Sequence, residues 1–356
     1  MNRTKNALIV GFGAMGHYGA WHLNRHGFKV FVLGQKEKDR TVHLKFQSDT
    51  YALTVYGMDS FFPDVFQFVY MSVKAFDIAQ AWSDFCAVAS GRMPTHVLTV
   101  ANGGIWSLVA SLAGQHPDIS WNLGLSTVGV SYRDQYEIMS RSGKMQVGPI
   151  YSPAESKTFG EAFSELFSAA GEEIHEAPGF DRPAASRPSL NPDELQGENP
   201  KTGAPLDPAR GSPSERPAVV WEFQESIKAA YQQKWLINTV LNTLCAARGY
   251  RQNQQALRDQ SDLWELHQEA FRWYLERMDP DPSHPLELQT SFEKLVEVTQ
   301  KTALNENSMA RDIRLGRRTE NEFLAGQVRL DPKASAKFPK LFHLSQTIEA
   351  CESRLT

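Results

Sequence analysis

The sequence predicts an α/β domain followed by an all-α domain, and three observations support this prediction. In the first half, short apolar segments alternate with segments of helical periodicity, which is typical of a parallel sheet covered by helices. A proline-rich stretch follows, and the last part of the chain shows only helical spacing of apolar residues. The chain has 356 residues, about twice the usual size of one domain, so we expect two domains.

The alternating pattern defines the expected elements of the first domain, which we assign to residues 1–177. Two segments with helical spacing of apolar residues, 16–26 and 76–90, lie between predicted strands. Residues 124–150 contain extended segments and turn glycines, so we expect them to complete the sheet as antiparallel or mixed strands. The predicted strands, rich in Val, Ile, Leu and Phe, are residues 7–10, 29–33, 66–72 and 96–100.

Residues 178–218 form the predicted connection between the two domains. The stretch 178–217 contains nine of the 19 prolines of the chain and few large apolar residues. Such a composition buries too little surface to offset the entropy of ordering. Two interpretations stay open for it: an interdomain linker or loop insertion, or a lid over a cleft.

Residues 219–356 are expected to form a wholly helical domain. The aromatic-rich stretch 264–274 lies in one of its helices, and we assign it to core or dimer packing rather than to a cofactor face. Because dimer packing is one of these two options, a homodimer remains an open alternative. The predicted helices are residues 225–247, 259–277, 287–305 and 338–354.

Composition excludes several classes of partner. Hydrophobic residues make up 41% of the chain and charged residues 22%, which is ordinary for a globular protein. A net charge of -4 provides no basic surface for nucleic acid or for an anionic membrane. The apolar run near the start has four residues, and no stretch approaches the roughly 20 that a membrane span needs. We expect a soluble, cytoplasmic protein whose partner is a small molecule.

Cysteine and histidine positions predict neither disulfides nor a metal site. The three cysteines are far apart and form no C-x-x-C pair, which fits a reducing compartment. His17, His22 and His26 provide one i, i+4 pair, and no acidic residue nearby completes a ligand set.

The clearest functional motif is GFGAMG, in which Gly11, Gly13 and Gly16 match the G-x-G-x-x-G pattern. It follows an apolar segment and opens a predicted helix. The first glycine permits a tight turn, the second lets the backbone approach a pyrophosphate, and the third allows close helix-on-strand packing. Free N–H groups at the helix N-terminus favour the anion. We interpret the turn, with Ala14 and Met15, as the dinucleotide-binding start of a Rossmann domain; a merely tight turn is the alternative.

The residues after the second predicted strand favour NADP over NAD. An NAD site usually has Asp or Glu about 20 residues after the glycines, where it binds the ribose 2′-hydroxyl. This chain has Gln35 near that position, and Lys36, Lys38 and Arg40 follow. These cations would attract a 2′-phosphate, although two acidic neighbours reduce the net charge.

A polar stripe interrupts an otherwise apolar helix of the second half. Lys234, Asn238 and Asn242 are spaced i, i+4, i+8 and therefore lie along one face. Unpaired buried amides cost roughly 1–3 kcal/mol each, so these side chains need partners. They either pair with neighbouring helices and backbone or line a substrate cleft. In a cleft, partial desolvation would lower the lysine pKa toward neutrality, which suits a general acid.

With these motifs the chain resembles the ketopantoate reductase (2-dehydropantoate 2-reductase) family over nearly its full length, except for the proline-rich stretch. The order and spacing of seven segments make the resemblance specific. They are GFGAMG at 11–16, SVKA at 72–75, ANGG at 101–104, LGLSTVGVSYRD at 123–134, VGP at 147–149, KWLINTVLNTL at 234–244 and NSMARDIRLGRRTENEFLAG at 307–326.

The resemblance implies an active site in the cleft between a Rossmann domain and a helical domain. It implies that Lys234 is the general acid, which protonates a carbonyl oxygen while NADPH delivers hydride to the adjacent carbon. It further implies that Glu320 orients the substrate hydroxyl or the lysine.

The same resemblance implies the binding residues. Asn238 and Asn242 would hydrogen-bond the hydroxyl end of the substrate, and Ser308 would bind its carboxylate. Lys74 and Asn102 follow predicted strands, where Rossmann ligands bind, and match family positions near the nicotinamide and the substrate.

The implied function is NADPH-dependent reduction of 2-dehydropantoate to pantoate, in pantothenate biosynthesis. One departure is Gln35, where the family often has an arginine for the 2′-phosphate, so that Lys36 or a neighbour would have to substitute. The extra segment 178–217 keeps open the same chemistry on a different 2-keto acid or related carbonyl compound. A non-catalytic NADP(H)-sensing module is a third hypothesis, but such a module would not need a proton donor.

Overall fold

The computed structural model describes residues 5–34, 40–46, 49–57, 65–132, 136–138, 142–151, 218–278 and 286–354. Gln35, Lys36 and the proline-rich stretch 178–217 lie outside these ranges, so the predictions made for them stay predictions. Within these ranges, no helix combines the length and the apolar character that a bilayer crossing requires.

The described residues form one mixed sheet of eleven strands, ten from the first half of the chain and one from residues 218–223. Their order across the sheet is β11-β10-β7-β6-β5-β1-β2-β4-β3-β9-β8. The strands are β1 (Asn6–Val10), β2 (Lys29–Leu33), β3 (Arg40–Phe46), β4 (Asp49–Tyr56), β5 (Phe68–Met71), β6 (His96–Thr99), β7 (Ser120–Ser126), β8 (Val130–Tyr132), β9 (Tyr136–Ile138), β10 (Ser142–Tyr151) and β11 (Ala218–Phe223).

Six parallel strands in the order β7-β6-β5-β1-β2-β4 form the centre of the sheet. Helix α1 (Ala14–Arg25) covers one face, and α2 (Ile78–Ala89) and α3 (Trp106–Gln115) cover the other. The chain leaves β1 toward β2 and later returns to the other side of β1 with β5. This reversal is the place at which doubly wound sheets bind their ligands, next to the carboxyl ends of the strands.

The structure confirms the predicted fold class, an α/β sheet domain followed by helices. Strand β2 has the predicted bounds, and β1, β5 and β6 differ from prediction by one or two residues at their ends. Strand β10 pairs antiparallel with β7, which agrees with the expectation that residues 124–150 complete the sheet as antiparallel or mixed strands. The β3–β4 pair was not predicted.

The expectation that the chain is wholly helical after residue 219 is wrong, because β11 pairs parallel with β10. The apolar run AVVWEF suits a strand. Burial of the Trp221 side chain favours the addition of this strand to the sheet. The indole Nε1 of Trp221 donates a hydrogen bond of 2.8 Å to the hydroxyl of Tyr18, and the Trp221 ring stacks on His22. The division into residues 1–177, 178–218 and 219–356 remains a prediction, since 152–217 are outside the described ranges.

The helical half is organised around α4 (Lys228–Arg248), a buried helix with its own apolar cluster. It ends at Gly249, whose positive φ of 67° terminates the helix without a Cβ clash. Three short 3-10 segments, Asn253–Arg258, Asn321–Phe323 and Ala325–Leu330, connect the helices. The helices are α4 (Lys228–Arg248), α5 (Gln260–Arg277), α6 (Leu288–Lys301), α7 (Ser308–Arg314), α8 (Ala334–Lys337) and α9 (Pro339–Glu352).

Candidate active site

The carboxyl ends of four neighbouring parallel strands supply most of the candidate site. The glycine turn follows β1, Lys74 follows β5, Asn102 follows β6, and Ser126 ends β7. Neighbouring strands lie about 4.8 Å apart, so this row extends over roughly 14 Å from β1 to β7. An extended ligand along the edge would therefore reach all four positions.

The glycine turn is tight because two of its glycines lie against other backbone atoms. Gly11 has φ of 90°, and a Cβ there would lie 2.6 Å from Cγ1 of Val73. A Cβ on Gly16 would overlap the carbonyl oxygen of Gly11. The hydroxyl of Ser72 donates a hydrogen bond of 2.7 Å to that same oxygen, which ties the turn to the end of β5.

Gly13 differs from these two glycines because it faces open space. A Cβ at Gly13 would meet no atom within 4 Å. Helix α1 begins at the next residue, Ala14, followed by Met15, and no side chain caps its N-terminus by a hydrogen bond. The first N–H groups of α1 are thus available to an anion that approaches over Gly13. This cradle fits a dinucleotide pyrophosphate.

Lys234 on α4 contacts the sheet edge directly. Its Nζ donates a hydrogen bond of 3.1 Å to the carbonyl oxygen of Ser126. Burial lowers the pKa of Lys234 to about 8, and the carboxylate of Glu320 opposes this shift. The ammonium group is therefore mostly charged at neutral pH, yet it releases a proton more readily than a surface lysine.

Two asparagines lie in the same cleft as Lys234. The Nδ2 of Asn238 donates a 3.4 Å hydrogen bond to Oδ1 of Asn102, which joins α4 to the end of β6. Asn102 in turn donates a hydrogen bond to Glu320. The cleft is lined by Ala101, Asn102, Gly103, Leu125, Tyr231, Lys234, Trp235 and Asn238.

Glu320 is buried at the junction of the two halves. Its Oε1 accepts a 3.5 Å hydrogen bond from the backbone N–H of Ala75, and its Oε2 lies 3.8 Å from Nζ of Lys74. Burial raises the pKa of Glu320, and the ammonium of Lys74 acts against this shift. Glu320 thus takes part in one electrostatic system with both lysines.

Lys74 pairs with carboxylates of the helical half. Its Nζ donates a hydrogen bond of 2.9 Å to Oδ2 of Asp312 on α7. Burial alone would lower the pKa of Lys74, but Glu320 and Asp312 outweigh burial and raise it. The structure places Lys74 directly after β5, at the carboxyl edge of the sheet; its contact with a cofactor remains a prediction.

Asn242 and Ser308 lie away from the cleft lining. The Oδ1 of Asn242 accepts a 2.9 Å hydrogen bond from Asn307, whose Nδ2 also lies 3.1 Å from Oδ1 of Asn253. Asn242 therefore belongs to a buried amide cluster one turn beyond Asn238. Ser308 is exposed at the start of α7.

Sequence reasoning did not select Asp312, Tyr231 or Asn307, although each contacts a site residue or its loop. A signal existed for Tyr231, since it lies three residues before Lys234 and hence on the same face of the helix. Asp312 and Asn307 lie in the segment 307–326 that supported the family resemblance, but nothing in their own spacing distinguished them. Across the described ranges, no group of three or more His, Cys, Asp or Glu residues could hold a metal ion.

Comparisons with known proteins agree with the two-part architecture. The family "Ketopantoate reductase PanE/ApbA" matches residues 7–151, and "Ketopantoate reductase PanE/ApbA C terminal" matches residues 226–350. A search of curated protein sequences gave no significant match.

Similar solved structures include two reductases and one dehydrogenase. The 2-dehydropantoate 2-reductase from Methylococcus capsulatus is 17% identical with a TM-score of 0.67, covering 99% of this chain and 98% of that one. The probable 2-dehydropantoate 2-reductase from Bacillus subtilis is 16% identical with a TM-score of 0.65, covering 98% and 100%. D-mandelate dehydrogenase with NADH and anilino(oxo)acetate is 14% identical with a TM-score of 0.67, covering 98% and 99%. At such identities the likeness shows the shared fold.

Proposed function

The chain belongs to the ketopantoate reductase family, and from this premise we propose that it is an NADP(H)-dependent reductase of a 2-keto acid, with 2-dehydropantoate as the leading substrate. The observation that most supports this function is the position of Lys234. A partly buried ammonium with a pKa of about 8 lies at the carboxyl edge of a sheet whose first turn fits a dinucleotide.

The glycine turn supports nucleotide binding. Gly11, Gly13, Ala14, Met15 and Gly16 would hold the pyrophosphate, because the open space over Gly13 leads to the free N–H groups of α1. The bound nucleotide supplies the hydride for the carbonyl carbon of the substrate. The preference for NADP over NAD rests on Gln35 and Lys36 and stays a proposal; the mandelate dehydrogenase neighbour was solved with NADH.

Lys234 would donate the proton in this reaction. The reaction consumes one hydride and one proton, and the keto oxygen of the substrate becomes the hydroxyl of a 2-hydroxy acid. A donor whose pKa lies near the working pH transfers a proton efficiently, and burial brings Lys234 into that range. Glu320, through its charge, would keep Lys234 protonated until the substrate oxygen takes the proton.

The amides of the cleft would orient the substrate. Asn102 and Asn238 line the cleft with Lys234, so their free hydrogen-bonding capacity can reach a bound hydroxyl or carbonyl group. Asn242, with Oδ1 occupied by Asn307, would contribute its Nδ2 or stabilise the helix behind the cleft. A role for Ser308 in carboxylate binding requires that the substrate extend beyond the cleft lining to the start of α7.

A different 2-keto acid is the second candidate substrate. Leu125, Tyr231 and Trp235 give the cleft an apolar wall, and a structural neighbour acts on mandelate, as its name states. An aromatic 2-keto acid is therefore the alternative to ketopantoate. A non-catalytic NADP(H)-sensing role is disfavoured, because it would not require a lysine with a lowered pKa inside the cleft. A cytoplasmic location, a role in pantothenate biosynthesis and a homodimer accompany the leading proposal.

One assay separates these functions. NADPH or NADH consumption is followed by absorbance across a panel of aliphatic and aromatic 2-keto acids. Turnover with ketopantoate supports the leading proposal, and turnover only with another acid supports the second. Nucleotide binding without turnover on any of them supports the sensing role.

A further inference from the structure

The hydroxyl of Tyr231 connects the lysine helix to the loop that bears Asn102. It donates a 3.2 Å hydrogen bond to the carbonyl oxygen of Gly103 and accepts one of 3.2 Å from the backbone N–H of Trp106. One tyrosine hydroxyl can fill both roles at once. Tyr231 is buried, with 4% of its surface exposed, and lies one turn before Lys234.

The other side of this loop packs on Phe323. Gly103 has φ of 100°, and a Cβ there would lie 2.6 Å from Cβ of Phe323. The backbone N–H of Gly104 donates to the carbonyl oxygen of Phe323, and Nε1 of Trp235 donates to the same oxygen at 3.2 Å. The loop is thus enclosed between α4 and the segment that follows Glu320.

This junction fixes the relative positions of three site residues. Asn102 precedes the loop glycines, Lys234 follows Tyr231 on α4, and Glu320 lies three residues before Phe323. The contact between Asn102 and Asn238 is already long at 3.4 Å, so a small shift of the loop would break it.

We propose that Tyr231 is a positioning residue of the active site, whose hydroxyl sets the distance from Asn102 to the proton donor Lys234. This inference rests on the proposed reductase function. Trp235 supports the same junction from the next turn of the helix. Packing alone does not need the hydroxyl, because a phenylalanine ring would occupy the same space beside Trp106.

The chain provides a matched control in Tyr18. Its hydroxyl is also buried, and it accepts a hydrogen bond from Trp221 on the opposite face of the sheet from α2 and α3. Tyr231→Phe and Tyr18→Phe each remove one buried hydroxyl and the hydrogen bonds that it makes. Their effects on melting temperature should be comparable, whereas their effects on catalysis should differ.

The experiment measures kcat, KM, the NADPH dissociation constant and the melting temperature of both variants. Tyr231→Phe should lower kcat by about 10- to 100-fold, as expected for a misplaced group in an active site, with NADPH affinity within about twofold. The loss should appear in kcat, whereas NADPH affinity and melting temperature should match those of Tyr18→Phe, a split that a merely structural role would not produce. Tyr18→Phe should leave kcat unchanged.

The outcomes separate this inference from the function on which it rests. Wild-type kcat in Tyr231→Phe would overturn the inference. If Tyr231→Phe folds poorly, Trp235→Phe tests the same junction, and an unchanged kcat there would overturn the inference as well. If the wild-type protein reduces no 2-keto acid, the proposed function fails, and crystal structures decide the inference. An Asn102 side chain displaced from Asn238 in Tyr231→Phe would then support it, and an unmoved one would overturn it.

Discussion

The Nζ of Lys74 lies 2.9 Å from Oδ2 of Asp312, although 238 positions separate the two residues in the chain. The same ammonium lies 3.8 Å from Glu320. The side chain of Lys74 is 42% exposed, whereas those of Asp312 and Glu320 are 12% and 7% exposed. One half-exposed lysine thus compensates two buried carboxylates where the helical half meets the sheet.

Lys74→Ala should destabilise the protein more at pH 7 than at pH 5. Burial already raises the folded-state pKa of Glu320, and loss of Lys74 would raise it further. A carboxyl group with a raised folded pKa is penalised when ionised, so the penalty disappears as the pH falls through that pKa. We expect a loss of about 1–3 kcal/mol in urea unfolding at pH 7.

The control is Lys337→Ala, which breaks a 3.0 Å ion pair with Glu276 between two half-exposed side chains. Exposed pairs contribute under about 1 kcal/mol, so its effect should be small at both pH values. Equal losses for Lys74→Ala at pH 7 and pH 5 would contradict the electrostatic role of Lys74.

Gly13→Ala should abolish nucleotide binding without loss of stability. Its methyl group would meet no protein atom within 4 Å, and its backbone φ of -86° suits alanine, but it would occupy the space over the turn. Gly16→Ala should instead destabilise the fold, because its methyl group would overlap Gly11. Gly114→Ala in α3, also in open space, serves as the control. Calorimetric titration measures NADPH affinity, and thermal melting measures the stability of each variant. Normal NADPH affinity in Gly13→Ala would show that the glycine turn does not bind the nucleotide.

Lys234→Ala should lose most turnover while NADPH affinity is kept. The substitution removes the proton donor and its bond to Ser126, but it leaves the glycine turn intact. Lys294→Ala, which removes an exposed lysine paired with Glu297, should turn over like the wild type. Unchanged kcat in Lys234→Ala would exclude this lysine from the mechanism.

The rate of reduction should fall as the pH rises above about 8. The donor must be protonated, and burial lowers the pKa of Lys234 to about that value. Glu320 raises the pKa of Lys234, so Glu320→Gln should move this alkaline limb to lower pH. Glu322→Gln, two residues away in an exposed pair with Arg318, should leave the limb in place. A limb that does not move in Glu320→Gln would refute the coupling of the two residues.

The sequence predicted the central strands because their apolar runs are bounded by glycines and polar turns. It did not reveal β3 and β4, because neither RTVHLKF nor DTYALTVY forms the continuous apolar run by which the central strands were predicted, although the alternation of apolar and polar residues in RTVHLKF is itself typical of a strand. It also misassigned β11, because a strand that pairs with a strand far away in the sequence has no local signal for its partner.

Site residues were predictable where spacing or a motif revealed them. The glycine turn and the stripe of Lys234 and Asn238 are such cases, and the structure places the turn at the carboxyl edge of the sheet and the two side chains against that edge. Partners from distant segments were not predictable, since the contact of Lys74 with Asp312 and that of Tyr231 with Gly103 depend on the tertiary fold. Their roles in binding and catalysis stay predictions for the variants above.

His267 should make the helical half sensitive to acid. It lies on α5 with 1% of its surface exposed, stacked on Phe292 and edge-on to Trp264 and Phe271. Among the described residues, neither ring nitrogen has a hydrogen-bond partner. Burial lowers the pKa of His267 to about 4.

Because His267 is protonated more readily in the unfolded chain than in the folded one, its contribution to stability is lost as the pH falls below the unfolded pKa of about 6.5. The expected loss between pH 7 and pH 5 is about 2 kcal/mol from this residue alone. His267→Leu should reduce the acid sensitivity of urea unfolding by that amount, whereas His343→Leu, at an exposed position on α9, should not. Other buried histidines contribute equally to all three proteins, so the comparison isolates His267. If the free energies of unfolding of the wild type and of His267→Leu fall equally between pH 7 and pH 5, the pKa of His267 is not lowered in the folded state, and the prediction is wrong.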